Sequence, residues 1–464
     1  MKCLTLIFCF FAASVGCAQV SFSPFIEIPT GSWPEVVCIG DVNNDGRNDI
    51  VMGMASYASS ANDYTILVFK QDAAGNLGTP VKYPYLSGSS EIECMDIADM
   101  NNDGLQDIVI GYGTKIGIFY QNSEGTLNTI SEIPVTSLVK SLKVGDLNND
   151  GINDIGIAYY GSNIATLIQS ETGTFAHSLR FCTTAYDTEI HIGDMNGDGK
   201  NDVVVKSFDA VHVLLQNTFG TLDQPVTYGS GDSSWINGIA TGDLDNDGKD
   251  DIVASKGGNS PSSKIVIWKQ DPGTQLFSNP SLLSAYDIPE PIEVADLNND
   301  GRNEIITAHG GWMSLSCYEQ GLSGQYGPYY DYPLPYASHY NRQGLALGDF
   351  NNDGLKDVAI ADYNHGLVML YNISESLSTQ GPQQMSEPVV FPNPVVDVLH
   401  IDFSNAVTSG ETRITIFNGL GAQMKMVLKS TESERLDMSN FASGIYYLKI
   451  EDSDSSITKK IIKR

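Results

Sequence analysis

The stretch Asp41-Val42-Asn43-Asn44-Asp45-Gly46-Arg47-Asn48-Asp49-Ile50 puts oxygen-bearing side chains at positions 1, 3, 5 and 9 of a short loop, with glycine at position 6 and an aliphatic residue after the last acid. The same pattern returns six times. The second copy has Asp99, Asn101, Asp103, Gly104 and Asp107, and the third has Asp146, Asn148, Asp150, Gly151 and Asp154. The fourth has Asp194, Asn196, Asp198, Gly199 and Asp202, and the fifth has Asp243, Asp245, Asp247, Gly248 and Asp251. The sixth has Asp296, Asn298, Asp300, Gly301 and Glu304, and the seventh has Asp349, Asn351, Asp353, Gly354 and Asp357. Successive copies start 58, 47, 48, 49, 53 and 53 residues apart, a period that marks a repeat architecture.

Alternating oxygen ligands can converge on one hard cation, the glycine allows the sharp turn, and the carbonyl at position 7 supplies a further ligand, so each loop is a candidate calcium site. No Cys or His enters the loops, which excludes a soft metal. An EF-hand needs a bidentate Glu at position 12, where this chain has Met52, Ile110, Ile157, Val205, Ala254, Thr307 and Ile360. The flanks are β-rich, as in Val36-Val37-Cys38-Ile39 before the first loop and Ile50-Val51-Met52 after it, so each unit reads strand, loop, strand. Glu304 is longer than the Asp elsewhere, which makes the sixth site the odd one. The formal charge is −30, and the loops hold 22 of the acids; seven structural calcium ions would bring the total to −30 + 14 = −16. So acidic a chain argues against nucleic acid or anionic membrane as a partner.

A second signal keeps step with the loops. Strands ending in Gln precede a Gly turn, as at Gln71 before Gly75, Gln121 before Gly125, Gln169 before Gly173, Gln216 before Gly220 and Gln270 before Gly273. Each unit thus holds about four strands in roughly 50 residues, the size of a propeller blade. The seventh unit ends after its third strand, while Phe22 to Ile28 stands alone before the first unit. The expected fold is therefore all-β: a seven-bladed β-propeller over 19–373 whose N-terminal strand closes the last blade, followed by a small β-sandwich.

These loops and their count resemble the FG-GAP/VCBS repeat family, the calcium-dependent propeller repeats also seen in integrin α-subunit heads. The resemblance covers about residues 20–375. It implies that each calcium loop joins the first and second strands of a blade, that the metal is structural, and that ligands meet the opposite face, made by the 2–3 and 4–1 connections.

The two ends of the chain carry separate signals. Lys2, the apolar run Leu4 to Val15 and the small Ala18 read as a signal peptide over 1–18, too short to span a bilayer. Cys17 after Gly16 admits a lipoprotein, but Ser14 stands where a bulky aliphatic residue is usual. No later window approaches a membrane span, so no membrane insertion of the mature chain is expected. Its cysteines, Cys38, Cys94, Cys182 and Cys317, are far apart and read as free thiols. Residues 374–388, rich in Ser, Gln and Pro, read as a linker to a domain at 389–464. There Phe391-Pro392-Asn393-Pro394, the strand Gly444-Ile445-Tyr446-Tyr447-Leu448-Lys449-Ile450 and the ending Lys459-Lys460-Ile461-Ile462-Lys463-Arg464 resemble the type IX secretion C-terminal sorting domain. That resemblance implies Sec export, handling by the secretion machinery, and display at the bacterial cell surface.

On the face implied for ligands, the 2–3 connections carry Tyr57, Tyr64, Tyr112, Tyr159, Tyr160, Phe208, His309, Trp312, Tyr363 and His365. The 4–1 connections carry Trp33, Trp235 and a Tyr-rich stretch from Tyr326 to Tyr340. Exposed aromatics give rigid contact area to sugars or proteins. Trp312, Tyr329, Tyr330, Tyr332, Tyr336 and His339 form the expected ligand site for an extracellular glycan or protein. The alternatives are a polysaccharide-degrading lyase, using a set such as Asp331, His339 and Arg342, or a purely structural surface protein. No Gly-x-Ser-x-Gly, His-Glu-x-x-His or phosphate-binding Gly loop is present, so binding is favoured over catalysis.

Overall fold

The computed structural model describes residues 19–374 and 389–464, apart from 56–61, 86–89, 162, 183–188, 272, 275, 322, 404–411, 419–422, 430, 432 and 452–455. The expected signal peptide and nearly all of the expected linker lie outside the described residues. The chain divides into two compact units at 377/378, and the described residues form strands, turns and no helix.

The first unit contains seven four-stranded antiparallel sheets. The first sheet runs Pro34–Gly40, Asp49–Met54, Thr65–Phe69, Val81–Pro84 in spatial and chain order alike. Five more follow the same meander, one per repeat. The seventh takes Leu345–Gly348, Asp357–Asp362 and Gly366–Leu370 from its own repeat and its fourth strand from the N-terminus, with Ile26, Glu27 and Ile28 paired to Met369, Val368 and Leu367.

Within each sheet burial follows strand number. Second strands such as Asp107–Tyr112 and Glu304–His309 are buried at every position, whereas fourth strands such as Val81–Pro84 are mostly exposed. A strand covered on both faces is selected for continuous Val and Ile rather than alternation, which these second strands show. Consecutive sheets share apolar clusters: Val51, Ile66 and Val68 meet Ile108, Ile110 and Phe119 between the first and second. Val358, Ile360 and Val368 of the seventh sheet meet Ile306 and Leu315 of the sixth. Across the seam, Ala359, Leu367 and Met369 of the seventh meet Ile50, Met52 and Phe69 of the first. At that seam the Val37 amide also donates to the Gln343 carbonyl at 2.9 Å.

The second unit pairs a three-stranded sheet (Val389–Phe391, Val398–Asp402, Ser433–Asp437) with a four-stranded one (Gln423–Leu428, Arg413–Asn418, Gly444–Glu451, Ser456–Lys463). Leu399, Ile401 and Leu436 from one and Ile414, Ile416, Leu448 and Ile450 from the other fill one core.

Candidate metal centres and the opposite face

Every loop joins the first and second strands of its sheet and is tied by its first Asp. One carboxylate oxygen of Asp41, Asp99, Asp146, Asp194, Asp243, Asp296 and Asp349 accepts the N–H of the position-6 glycine at 2.7–2.9 Å. Those glycines sit at φ between +80° and +87°, where a side chain would be strained. Position 4 is left-handed as well: Asn44, Asn102, Asn149, Asn246, Asn299 and Asn352 at φ 55–66°, and Gly197 at 73°. Asn tolerates that region best among residues with a Cβ. Sequence reasoning passed over position 4, although Asn in six copies and Gly in one was the available signal.

The acid at position 9 opens the second strand and is buried in all seven copies. In loops two, three, four, five and seven one of its oxygens accepts the N–H of position 2 and the other accepts the N–H of the Gln or Asn that follows the third strand, as Asp107 does from Met100 and Gln121, both at 2.8 Å. Burial, reinforced by the neighbouring loop carboxylates, pushes these acids up despite those bonds: to about 6 at Asp49, Asp107 and Asp154, about 7 at Asp202, Asp251 and Asp357, and about 8 at Glu304.

The donor sets fit a hard cation. Asn196 Oδ1, Asp245 Oδ1 and Glu304 Oε1 are buried oxygens with no hydrogen-bond partner. Carboxylate oxygens of Asp243, Asp245 and Asp247 lie within 4.8 Å of one another. In loops two, three and seven the position-3 amide instead donates to the position-5 carboxylate, at 3.1, 2.9 and 3.0 Å, and in the first loop Asn43 donates to Asp49. Turning that amide over presents its oxygen to the same point.

The Gln at the end of the third strand works twice. Except at Gln320 its backbone caps the buried acid of its own sheet, and except at Gln71 its side-chain amide donates to a backbone carbonyl of the preceding sheet's loop. Gln121 reaches Asp41, Gln169 Met100, Gln216 Asp146, Gln270 Met195 and Gln320 Leu244, and Asn372 does the same to Leu297. At the seam, Asn48 reaches Asp349 O at 3.1 Å, but both side-chain polar atoms of Gln71 are buried without a partner.

At the opposite ends of the sheets the expected aromatics separate into two groups. Tyr160, Phe208, Trp235 and Tyr336 are each 51% exposed and Trp312 is 38% exposed. Trp33 stacks on Tyr363 at 4.4 Å, and His339 leans on the same ring at 4.8 Å. Tyr112, Tyr159 and His309, which the sequence places among these connections, are buried at the ends of second strands, Tyr112 and Tyr159 within inter-sheet cores. His309 is held between Asp287 O and Ser316 Oγ, and burial pushes its pKa down to about 4. Tyr57 lies outside the described residues.

The Tyr-rich stretch is divided too. Tyr330 and Tyr332 belong to the sixth sheet's fourth strand, Tyr329 packs on Tyr318, and Tyr332 packs on Phe22 at 5.0 Å, so only Tyr336 and His339 of this group join Trp312 in the connections. Asp331, offered with His339 and Arg342 as a lyase-like set, accepts from Ser314 and Ser316, while His339 and Arg342 line a separate cavity. The three do not share that cavity.

The cavity, about 250 Å³, lies at this end of the first strands and is lined by Glu35, Glu93, Lys140, Asn237, Glu290 and His339–Arg342. Five of these residues fall six places before a loop's first Asp. That register was readable in the sequence and was missed. Asp96, Lys143 and Glu293, three places further along the same strands, line a second cavity of about 240 Å³.

Residues 389–464 match the family model for the secretion system C-terminal sorting domain, and residues 99–157, 146–205 and 194–254 each match an FG-GAP-like repeat. Each repeat match runs from one loop's first Asp to position 12 of the next. No curated protein matches the chain. Among solved structures, an Agrocybe aegerita lectin described for specific recognition of non-reducing terminal N-acetylglucosamine is similar at TM-score 0.50 and 16% identity, over 74% of this chain and 86% of the lectin. BBS1N, solved in complex with ARL6DN, is similar at TM-score 0.51 and 13% identity, over 78% of this chain and 97% of that one. Both likenesses concern the propeller-like fold alone. Repeats and tail together identify the chain as an FG-GAP-repeat protein bearing a type IX secretion sorting domain, which marks it for export to the cell surface or beyond.

Proposed function

We propose that the chain is a surface-displayed binding module: a closed ring of seven calcium-stabilised blades that holds an extracellular glycan or protein against the face opposite its loops. The observation that carries the reading is the distribution of exposed rings. Tyr160, Phe208, Trp235, Trp312 and Tyr336 all stand in 2–3 or 4–1 connections, where large aromatic side chains face water rather than a core. Ring closure is supported by the N-terminal strand in the seventh sheet and by the cluster shared between the seventh and first sheets. Closure also covers the outer edge of Gly366–Leu370, which would otherwise be left unpaired, a standing risk for sheet proteins.

Calcium is supported by the loop chemistry. The metal would be held by the acids and amides at positions 1, 3, 5 and 9, supplying charge neutralisation and rigidity. The repeat residues then do the mechanical work: the position-9 acid fixes the second strand to the loop, and the Gln amide fixes the loop to the next sheet. Full-length chain on a glycan array and a panel of extracellular matrix proteins tests the binding. A specific signal lost in Trp312→Ala and Trp235→Ala, with the thermal midpoint unchanged, is the expected result. A signal untouched by every aromatic replacement on that face would overturn it.

A further inference from the structure

We infer, resting on the surface-binding reading above, that the cavity at the mouth of the first strands is a site for one neutral sugar ring and rejects uronates. Its wall offers acceptors and donors together. Asn341 Nδ2 donates to Glu35 Oε2 at 3.3 Å and the Tyr340 amide donates to Glu290 Oε2, so the second oxygen of each carboxylate has no donor among the described residues. Asn237 has committed its amide nitrogen to the Gly257 and Pro289 carbonyls, which leaves its oxygen as an acceptor. Lys140, paired with Glu93 at 2.7 Å and lying 5.9 Å over the Tyr160 ring, adds a donor at the edge, and Arg342 adds another. Sugar hydroxyls both donate and accept, and they suit such a mixed wall better than an apolar ligand does.

Charge and size narrow the class. Lys140 offsets Glu93 in the wall, so rejection of an anionic sugar rests on the excess acid of the whole chain, −30 without calcium, which repels it along its approach. Burial raises both Glu35 and Glu290 to about 7, so near neutral pH each can offer a proton as well as accept one. At about 250 Å³ the cavity falls just below the ~300 Å³ lower end of small-molecule pockets, room for one ring rather than a run of them. The exposed His339, backed by Tyr363 and Trp33, gives a flat wall at the rim for the C–H face of that ring.

The test is titration of the full-length, calcium-loaded chain with a set of neutral oligosaccharides (N-acetylchitooligosaccharides, cello- and manno-oligosaccharides) and with oligogalacturonate as the acidic counterpart. At least one neutral probe is expected to bind and oligogalacturonate is not. Glu35→Ala with Glu290→Ala should raise Kd at least tenfold, while Glu35→Gln with Glu290→Gln, which keeps the hydrogen-bonding shape, should hold it within about threefold. Thermal midpoints matching wild type show that the variants remain folded. Tighter binding of oligogalacturonate, or silence toward every neutral probe, overturns the inference. Binding that Trp312→Ala abolishes and the Glu35/Glu290 pair leaves untouched overturns the mouth site but leaves the surface reading standing.

Discussion

The junction between the second and third sheets and the junction between the seventh and first are built from the same parts and finished differently. At the former, Asn153 takes the Asp99 carbonyl and the Gln169 amide takes the next carbonyl along, that of Met100. At the latter, Asn48 takes the Asp349 carbonyl in the same way, yet Gln71 stops short of the next one and stays buried and unpaired. The sixth sheet repeats the finished version, with Asn303 on Asp243 and Gln320 on Leu244. The interior junctions thus carry both side-chain amide bonds, whereas the seam keeps the Asn48 bond and lacks the Gln one, leaning more on apolar packing and on the borrowed N-terminal strand. An unpaired buried amide costs about 1–3 kcal/mol, so the seam is the place where the assembly is weakest.

The predictions that test this contrast run from large effects to small. Removing residues 19–28 takes away the strand paired to Leu367–Met369 and the buried Val20, and should cost about 3–5 kcal/mol and broaden thermal unfolding. If unfolding remains as sharp and as late as in the whole chain, the seam does not depend on that strand. Calcium removal by EDTA should lower the midpoint strongly, since a ligand at 100 times its Kd adds about 2.7 kcal/mol per site. Hydrogen exchange should then rise first at the seam; uniform release would erase the contrast. An unchanged midpoint would exclude structural metal altogether.

Acidity offers a finer probe. The buried position-9 acids take up protons at about pH 6 to 8 in the folded chain, against about 4 in the unfolded chain. The metal-free fold therefore holds more protons across that window and loses stability as pH rises through it. A calcium-free midpoint higher at pH 5 than at pH 8, with the difference narrowed by calcium, is the expected outcome of a scan. The smallest effect is the most specific: Gln169→Leu should cost about 1–3 kcal/mol by orphaning the Met100 carbonyl, while Gln71→Leu should be neutral or stabilising. Equal losses at the two positions would show that the seam is locked after all.

Much of this arrangement was legible because repetition turns local chemistry into architecture. The spacing of Asp41, Asn43, Asp45 and Gly46, present seven times in all, fixes both the loop and its place between two strands. The lone run at Phe22 to Ile28, beside a seventh unit lacking its last strand, located the seam. The candidate binding face was harder to read. Tyr112, Tyr159 and His309 sit beside turns in sequence but are the last residues of buried strands, so position along the chain alone did not separate packed rings from exposed ones. The cavity glutamates were overlooked for a different reason. Glu35, Glu93 and Glu290 share one register, six places before a loop's first Asp, but it takes the assembly of several sheets to turn that register into an opening.

The borrowed strand also has a consequence for timing. Ser21 lies 353 residues from the Ser374 hydroxyl that accepts its amide hydrogen, so the first part of the folded unit to be synthesised waits for nearly the last. Contacts of such separation form slowly and late. A chain made N-terminus first therefore cannot complete its seventh sheet until Gly366–Leu370 has followed, so Ile26–Ile28 waits without its partner for most of synthesis.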